Sequence, residues 1–139
     1  MIQRETVCQH GRATATCAPM GVRFYTVVVD SHDPKKLGEW WAQVLDWKIV
    51  YEAPDEVVVA RDDDTYPGLI FVPVPESKTV KNRLHIDLAP DDRDEEVRRI
   101  EGLGAKRVDV GQTAENTWVV LADPEGNEFC VLSTREGGV

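Results

Sequence analysis

The 139-residue sequence predicts an α+β fold: two tandem β-α-β-β-β modules forming a curled sheet around a cleft, with helices on the outer faces. Three observations carry that expectation. Short runs rich in β-branched and aromatic residues recur along the chain, and two of them are followed by amphipathic helical patterns. The order strand, helix, strand, strand, strand occurs twice. When the halves are laid over each other, Thr26 falls on His85, Asp33 on Asp92, and "VVVARD" on "WVVLAD". One module alone leaves a sheet face uncovered, so pairing two is how both bury it.

The first module is expected over residues 22–74. It opens with the β-branched strand "VRFYTVVVD" (22–30). The helix "DPKKLGEWWAQVL" (33–45) follows, with Leu37, Trp40, Trp41, Val44 and Leu45 at helical spacing and Pro34 suited to a first turn. Trp40, Trp41 and Trp47 are assigned to the core, where aromatics at this spacing usually lie. Strands are predicted at 47–53, 56–62 and 68–74, separated by Gly, Pro and Asp clusters. The acidic stretch "RDDDTYPG" (61–68) reads as a solvated loop and lacks the ligand spacing of a calcium loop.

A polar linker, "PESKTVKN" (75–82), leads to the second module over 83–133. Its first strand is expected at 83–89, its helix at 91–104 with Val97, Ile100 and Leu103 on one face, and further strands at 106–110, 117–123 and 127–133. In the strand "RLHIDLA", side chains alternate faces, so Leu84, Ile86 and Leu88 point one way while Arg83, His85 and Asp87 point the other. The duplication implies that the second set looks into the cleft. Residues 1–21 lack periodicity and read as a flexible tail, and 134–139 as a second. Cys8, His10 and Cys17 match no usual zinc spacing.

Composition narrows the function. The hydrophobic fraction of 42% and charged fraction of 29% are those of a water-soluble globular chain, and no apolar run is long enough to span a bilayer. A formal charge of −9 argues against nucleic acid and mildly favours neutral or cationic small molecules. Three cysteines without a C-x-x-C pair, and a start without an apolar signal region, point to a reducing cytoplasm. Nucleophilic catalysis has little support: there is no G-x-S-x-G, and Ser31, His32 and Asp33 are consecutive.

Four strings in order, "DPKKLGEWWAQVLDW", "KNRLHIDL", "LGAKRV" and "VLADPEGNEFCVL", resemble the vicinal oxygen chelate superfamily, which includes glyoxalases, extradiol dioxygenases and bleomycin-resistance proteins. The resemblance covers 22–133 and is nearest the bacterial glyoxalase-like branch. It implies two cleft-facing metal ligands per module, one on the first strand and one on the last. The second module matches at both places, with His85 and Glu128. The first matches at neither: Thr26 stands at the histidine-equivalent place, and "GLIFVPV" offers no ligand. Catalytic zinc usually takes about three protein ligands and an open position. The implied cofactor is therefore none, or a weakly bound zinc, nickel, manganese or iron. Asp87, Cys130 and Asp30 share the cleft face, but strand neighbours two apart lie roughly 6.5 Å from one another, too far to chelate one ion without bending.

His85 and Glu128 are the candidate catalytic residues: the imidazole, with an ordinary pKa of about 6.5, as ligand or general base, and the carboxylate as a base if burial raises its pKa. The competing reading makes His85 a hydrogen-bonded cleft residue paired with Glu128 or Asp87, and Glu128 a rim residue. Arg83, Asp87, Trp118 and Thr26 are candidate ligand contacts, Trp118 as an aromatic wall against a planar or cationic molecule. For Arg83 and Asp87, charge compensation is the more ordinary role. Cys130 is expected to be a small buried hydrophobe.

Three functions stay open. A metal-dependent lyase, isomerase or oxygenase of the glyoxalase type predicts activity lost on chelation. A metal-free ligand-binding protein in the manner of the bleomycin-resistance members predicts binding indifferent to chelators. A regulatory or accessory domain predicts little chemistry in the cleft. The missing first-module ligands favour the second. The resemblance also implies a homodimer.

Overall fold

The computed structural model describes residues 21–109, 111, 113 and 117–134. The expected tails (all but Gly21 of the first and Thr134 of the second), and with them Cys8, His10 and Cys17, lie outside the described residues.

β-Branched residues build strand β1 (Thr26–Ser31). Asp33 then caps helix α1 (Pro34–Leu45): its Oδ1 accepts from the Lys36 N–H at 3.1 Å, and Pro34 occupies the first turn without losing a bond. Strands β2 (Lys48–Ala53), β3 (Glu56–Ala60) and β4 (Gly68–Pro73) complete the first module. The second repeats the order with β5 (Ile86–Leu88), α2 (Arg93–Gly102), β6 (Lys106–Arg107), β7 (Val119–Ala122) and β8 (Glu128–Val131). Asp92 caps α2 as Asp33 caps α1, accepting from the Glu95 N–H at 3.0 Å. No helix among the described residues is long and apolar enough to cross a membrane.

The two sheets have the same plan. One runs β1-β4-β3-β2 and the other β5-β8-β7-β6, and in each the first strand lies parallel to the last. Val27 pairs with Leu69 as Ile86 pairs with Phe129. One step back along each pair, Thr26 and Gly68 stand where His85 and Glu128 stand in the second half.

Several element boundaries differ from those expected; β1, for example, begins at Thr26 and not at residue 22. The strand predicted over 83–89 is confined to Ile86–Leu88, and Leu84 is 87% exposed instead of facing inward. The reason lies in the lead-in: the Asn82 N–H bonds to the Glu128 carboxylate, which bends the chain away before β5 begins. Strand β6 keeps two residues, although the Val108 N–H still reaches the Val120 carbonyl at 3.1 Å. Trp118 lies in a bend just ahead of β7, not within a strand.

One core joins the halves. Leu37, Trp40, Trp41 and Val44 of α1 pack with Val57, Val59, Leu69 and Phe71 of the first sheet, and also with Val97, Ile100, Leu121, Phe129 and Val131 of the second half. Trp40 and Trp41 present their rings edge-on to Phe129, with centroids 5.9 and 4.9 Å away, and Trp47 packs at the margin. Polar contacts reinforce the junction. The Trp40 Nε1–H donates to the Leu103 carbonyl at 2.9 Å, and the Trp41 Nε1–H to buried Asp123 Oδ2 at 3.0 Å. Arg99 of α2 donates to the Val44 carbonyl at 2.8 Å, satisfying a carbonyl left open at the end of α1. Glu125 accepts from the buried Ser31 hydroxyl and, at 2.6 Å, from the His32 N–H.

Candidate functional site

The alternation of side chains across the second sheet decides which residues meet. Asp87, Cys130 and Val120 are direct neighbours on β5, β8 and β7, while Ile86, Phe129 and Leu121 form the adjoining row, whose Phe129 and Leu121 are buried in the core. Glu128 shares the side of Cys130, two positions earlier, and His85 stands two positions before Asp87. These side chains open onto a cavity of about 340 Å³, lined by Lys81, Asn82, His85, Asp87, Trp118, Val120, Glu128, Phe129, Cys130 and Leu132. The cavity wall thus comes from the second module and its lead-in, where the sequence reading placed the cleft between modules. A larger groove of roughly 710 Å³ runs between the end of α1 and α2; of the candidate site residues it shares only Asp87.

Glu128 is the most enclosed acid of the cavity. Its Oε1 accepts from the Lys78 ammonium at 2.9 Å and its Oε2 from the Asn82 N–H at 3.0 Å. Burial pushes its pKa up, but the Lys78 hydrogen bond and the Asn82 N–H outweigh it and leave the carboxyl below its ordinary value. The sequence reading tied a raised pKa to a neighbouring His85. Instead, an ammonium and an amide hold the charge, so Glu128 is ionised at neutral pH and suited to anchoring more than to proton abstraction.

His85 directs Nε2 to Asp87 Oδ1 at 3.1 Å, with both side chains about half exposed. Of the two partners weighed for it, Asp87 is the one it meets. The separation of roughly 6.5 Å between alternate residues holds only within one strand. His85 precedes β5, so its side chain is free of the strand's spacing and folds back onto Asp87. Cys130 is buried next to them, and burial together with the Asp87 carboxylate pushes its thiol pKa up. One donor atom from each of His85, Asp87 and Cys130 lies within 4.8 Å of the other two.

Trp118, 40% exposed, lines the cavity as one of its walls. Thr26 does not line it: the Thr26 hydroxyl donates to the Gly68 carbonyl at 3.0 Å, so the first-module counterpart of the His85–Glu128 position is closed on itself. A Cβ at Gly68 would stand 2.9 Å from the Val59 carbonyl oxygen, which leaves no room there for a carboxylate side chain. Arg83 is exposed in the bend before β5 and also stays outside the cavity. Asp30 is exposed on β1. Sequence reasoning missed Lys78, Lys81 and Asn82 because it filed them as linker. The available signal was the pair of lysines in "SKTVKN", immediately ahead of the histidine strand.

The family model of the glyoxalase-like domain matches residues 26–132. No protein of curated function matches the sequence. Among solved structures, the chain is similar to an oxidase, ChaP-H2, at 19% identity and a TM-score of 0.58, covering 86% of this chain and 98% of that one. It is similar to a glyoxalase/bleomycin resistance protein/dioxygenase family enzyme from Burkholderia phytofirmans PsJN at 18% identity and a TM-score of 0.63, covering 82% and 100%. A bleomycin-binding protein solved with bleomycin matches at 20% identity and a TM-score of 0.56, again covering 82% and 100%. At these identities the likeness establishes the fold, which carries both an oxidase and a drug binder.

Proposed function

On the premise that the chain belongs to the glyoxalase-like domain family of the vicinal oxygen chelate superfamily, we propose that it binds a small organic molecule in the second-module cavity. The observation that carries this reading is the state of Glu128: a desolvated carboxylate already neutralised by Lys78, in a cavity walled by Trp118. Such a site offers a planar surface, a fixed polar anchor and half-exposed Asp87 and His85 as further contacts. About 340 Å³ lies at the small end of ligand pockets, which suits a compact neutral or cationic molecule with one flat face. The family's chelating set is only half present, as His85 and Glu128.

The test is a tryptophan-fluorescence and thermal-shift screen of small planar heterocycles and vicinal diols. A binder should change the emission of the parent protein, and Trp118→Ala should weaken it roughly tenfold, the order of one lost aromatic contact. Binders unaffected by Trp118→Ala and by Glu128→Gln alike would place the ligand elsewhere and end the proposal.

The second reading is a divalent-metal-dependent lyase, isomerase or dioxygenase of the glyoxalase type, with His85 and Glu128 as ligands or bases. The His85–Asp87 pair favours it, since a carboxylate beside an imidazole orients it for proton transfer. For Glu128 to join His85 around an ion, Lys78 would first have to release its carboxylate. We also propose a homodimer. Val28, Ile70, Val58 and Tyr51 form a row across all four strands of the first sheet, and Val28 and Tyr51 are 55% and 53% exposed. A second copy of the chain would cover that row.

A further inference from the structure

We propose that His85, Asp87 and Cys130 form a binding site for a zinc-class ion, distinct in its ligands from the His85–Glu128 pair that the family pattern implies. Among the described residues these three form the group whose nitrogen, oxygen and sulfur donors come within 4.8 Å of one another. Three features of the chain bring them together. The parallel register sets Asp87 directly beside Cys130. The lead-in bend frees His85 from the strand, so that its Nε2 sits 3.1 Å from Asp87 Oδ1. Lys78 and the Asn82 N–H occupy the two oxygens of Glu128, which removes the usual carboxylate from competition.

The distances suit a small tetrahedral ion. Zinc bonds of about 2.0–2.3 Å place neighbouring donors about 3.4–3.8 Å apart. The His85–Asp87 separation is already within a few tenths of an ångström of this, and the widest pair must close by about 1 Å. Rotation of exposed His85 and Asp87 side chains can supply that movement while Cys130 stays fixed in its strand. Nitrogen, oxygen and sulfur donors together select a borderline ion such as zinc over magnesium or calcium, which favour all-oxygen shells. When the sulfur–metal bond forms, the Cys130 proton leaves to solvent. All three residues line the cavity, so a position for water or ligand is left on the open side. The site rests on the ligand-binding reading only in sharing that wall, and its test needs no organic ligand.

The experiment is titration of chelator-treated, full-length protein with cobalt(II), followed by zinc(II), in a Cys8→Ser, Cys17→Ser background so that Cys130 is the sole thiol. The expected result is one equivalent of cobalt with tetrahedral visible bands and a near-ultraviolet sulfur-to-cobalt charge-transfer band, all displaced by zinc. Cys130→Ser and Cys130→Ala should each abolish the charge-transfer band while retaining the far-ultraviolet dichroism of a folded chain. His85→Ala should lower cobalt affinity at least tenfold, and Glu128→Gln should leave the band in place. A charge-transfer band that survives loss of Cys130, one that disappears with Glu128→Gln, or no cobalt bound at millimolar metal would each overturn the assignment. None of these outcomes touches the ligand screen, which is read at Trp118.

Discussion

Lys78→Met is the change that most directly probes the cavity. The Lys78 and Glu128 side chains are 18% and 13% exposed, and the 2.9 Å bond between them is charge-assisted. Removing one partner of such a pair strands the other in a poor solvent, at a cost of about 3–5 kcal/mol when nothing else satisfies it. Glu128 keeps the Asn82 N–H at 3.0 Å. The expected loss is therefore nearer the worth of one charged hydrogen bond, about 2 kcal/mol near neutral pH. The pH dependence has a definite sign. In the parent, Glu128 titrates below its ordinary value of 4.5, so its stabilisation is present above that value and is lost as pH falls through the folded pKa. In Lys78→Met burial acts without the ammonium, so the deficit is greatest near neutrality and narrows as acid protonates Glu128. Urea unfolding of the parent, Lys78→Met, Glu128→Gln and the double variant, at neutral and acidic pH, gives the coupling energy directly. A coupling below about 0.5 kcal/mol, the level of a solvent-exposed pair, would refute the claim that Glu128 is a desolvated, anchored carboxylate.

Asp123→Ala should lower stability by about 3 kcal/mol or more in the same denaturant assay, because the Trp41 indole N–H, the Glu125 and Asn127 N–H groups and the Asn127 side-chain amide all donate to that one carboxylate. A loss under about 1 kcal/mol would mean that water replaces it readily. Val28→Glu puts a charge at the β1 end of the apolar row of the first sheet, where Val28 is 55% exposed. Sedimentation velocity should show a dimer in the parent and a monomer in this variant; a monomeric parent would end the dimer proposal.

The duplication was legible in the sequence because two different periodicities recur in the same order. What escaped the reading was decided by contacts remote in sequence. The late start of the strand after His85 depends on a bond between Asn82 and Glu128, 46 positions apart, and no local pattern encodes it. The same distance hid Lys78, since a lysine in a polar linker looks like solubility until the chain doubles back. The unlikeness of the two halves at this position was visible as the pairing of Thr26 with His85. The Gly68 constraint behind it was not, because it depends on how near the neighbouring strand's carbonyl comes. Trp118 lines the cavity although its backbone is a bend and not a strand, since a large aromatic ring reaches the cavity from either.

The turn that spans positions 123 to 127 makes the two repeats unequal heirs of the same plan. Its aspartate grips the indole of Trp41, its glutamate fastens the end of β1, and the very next residue is the anchored carboxylate of the second-module cavity. The amino-terminal repeat, which contributes no residue to the cavity lining, is thus the footing on which the other's cavity is levelled. Excised at the linker, the carboxy-terminal repeat would keep the side chains that line its cavity and lose the indoles against which Phe129 and Asp123 are set.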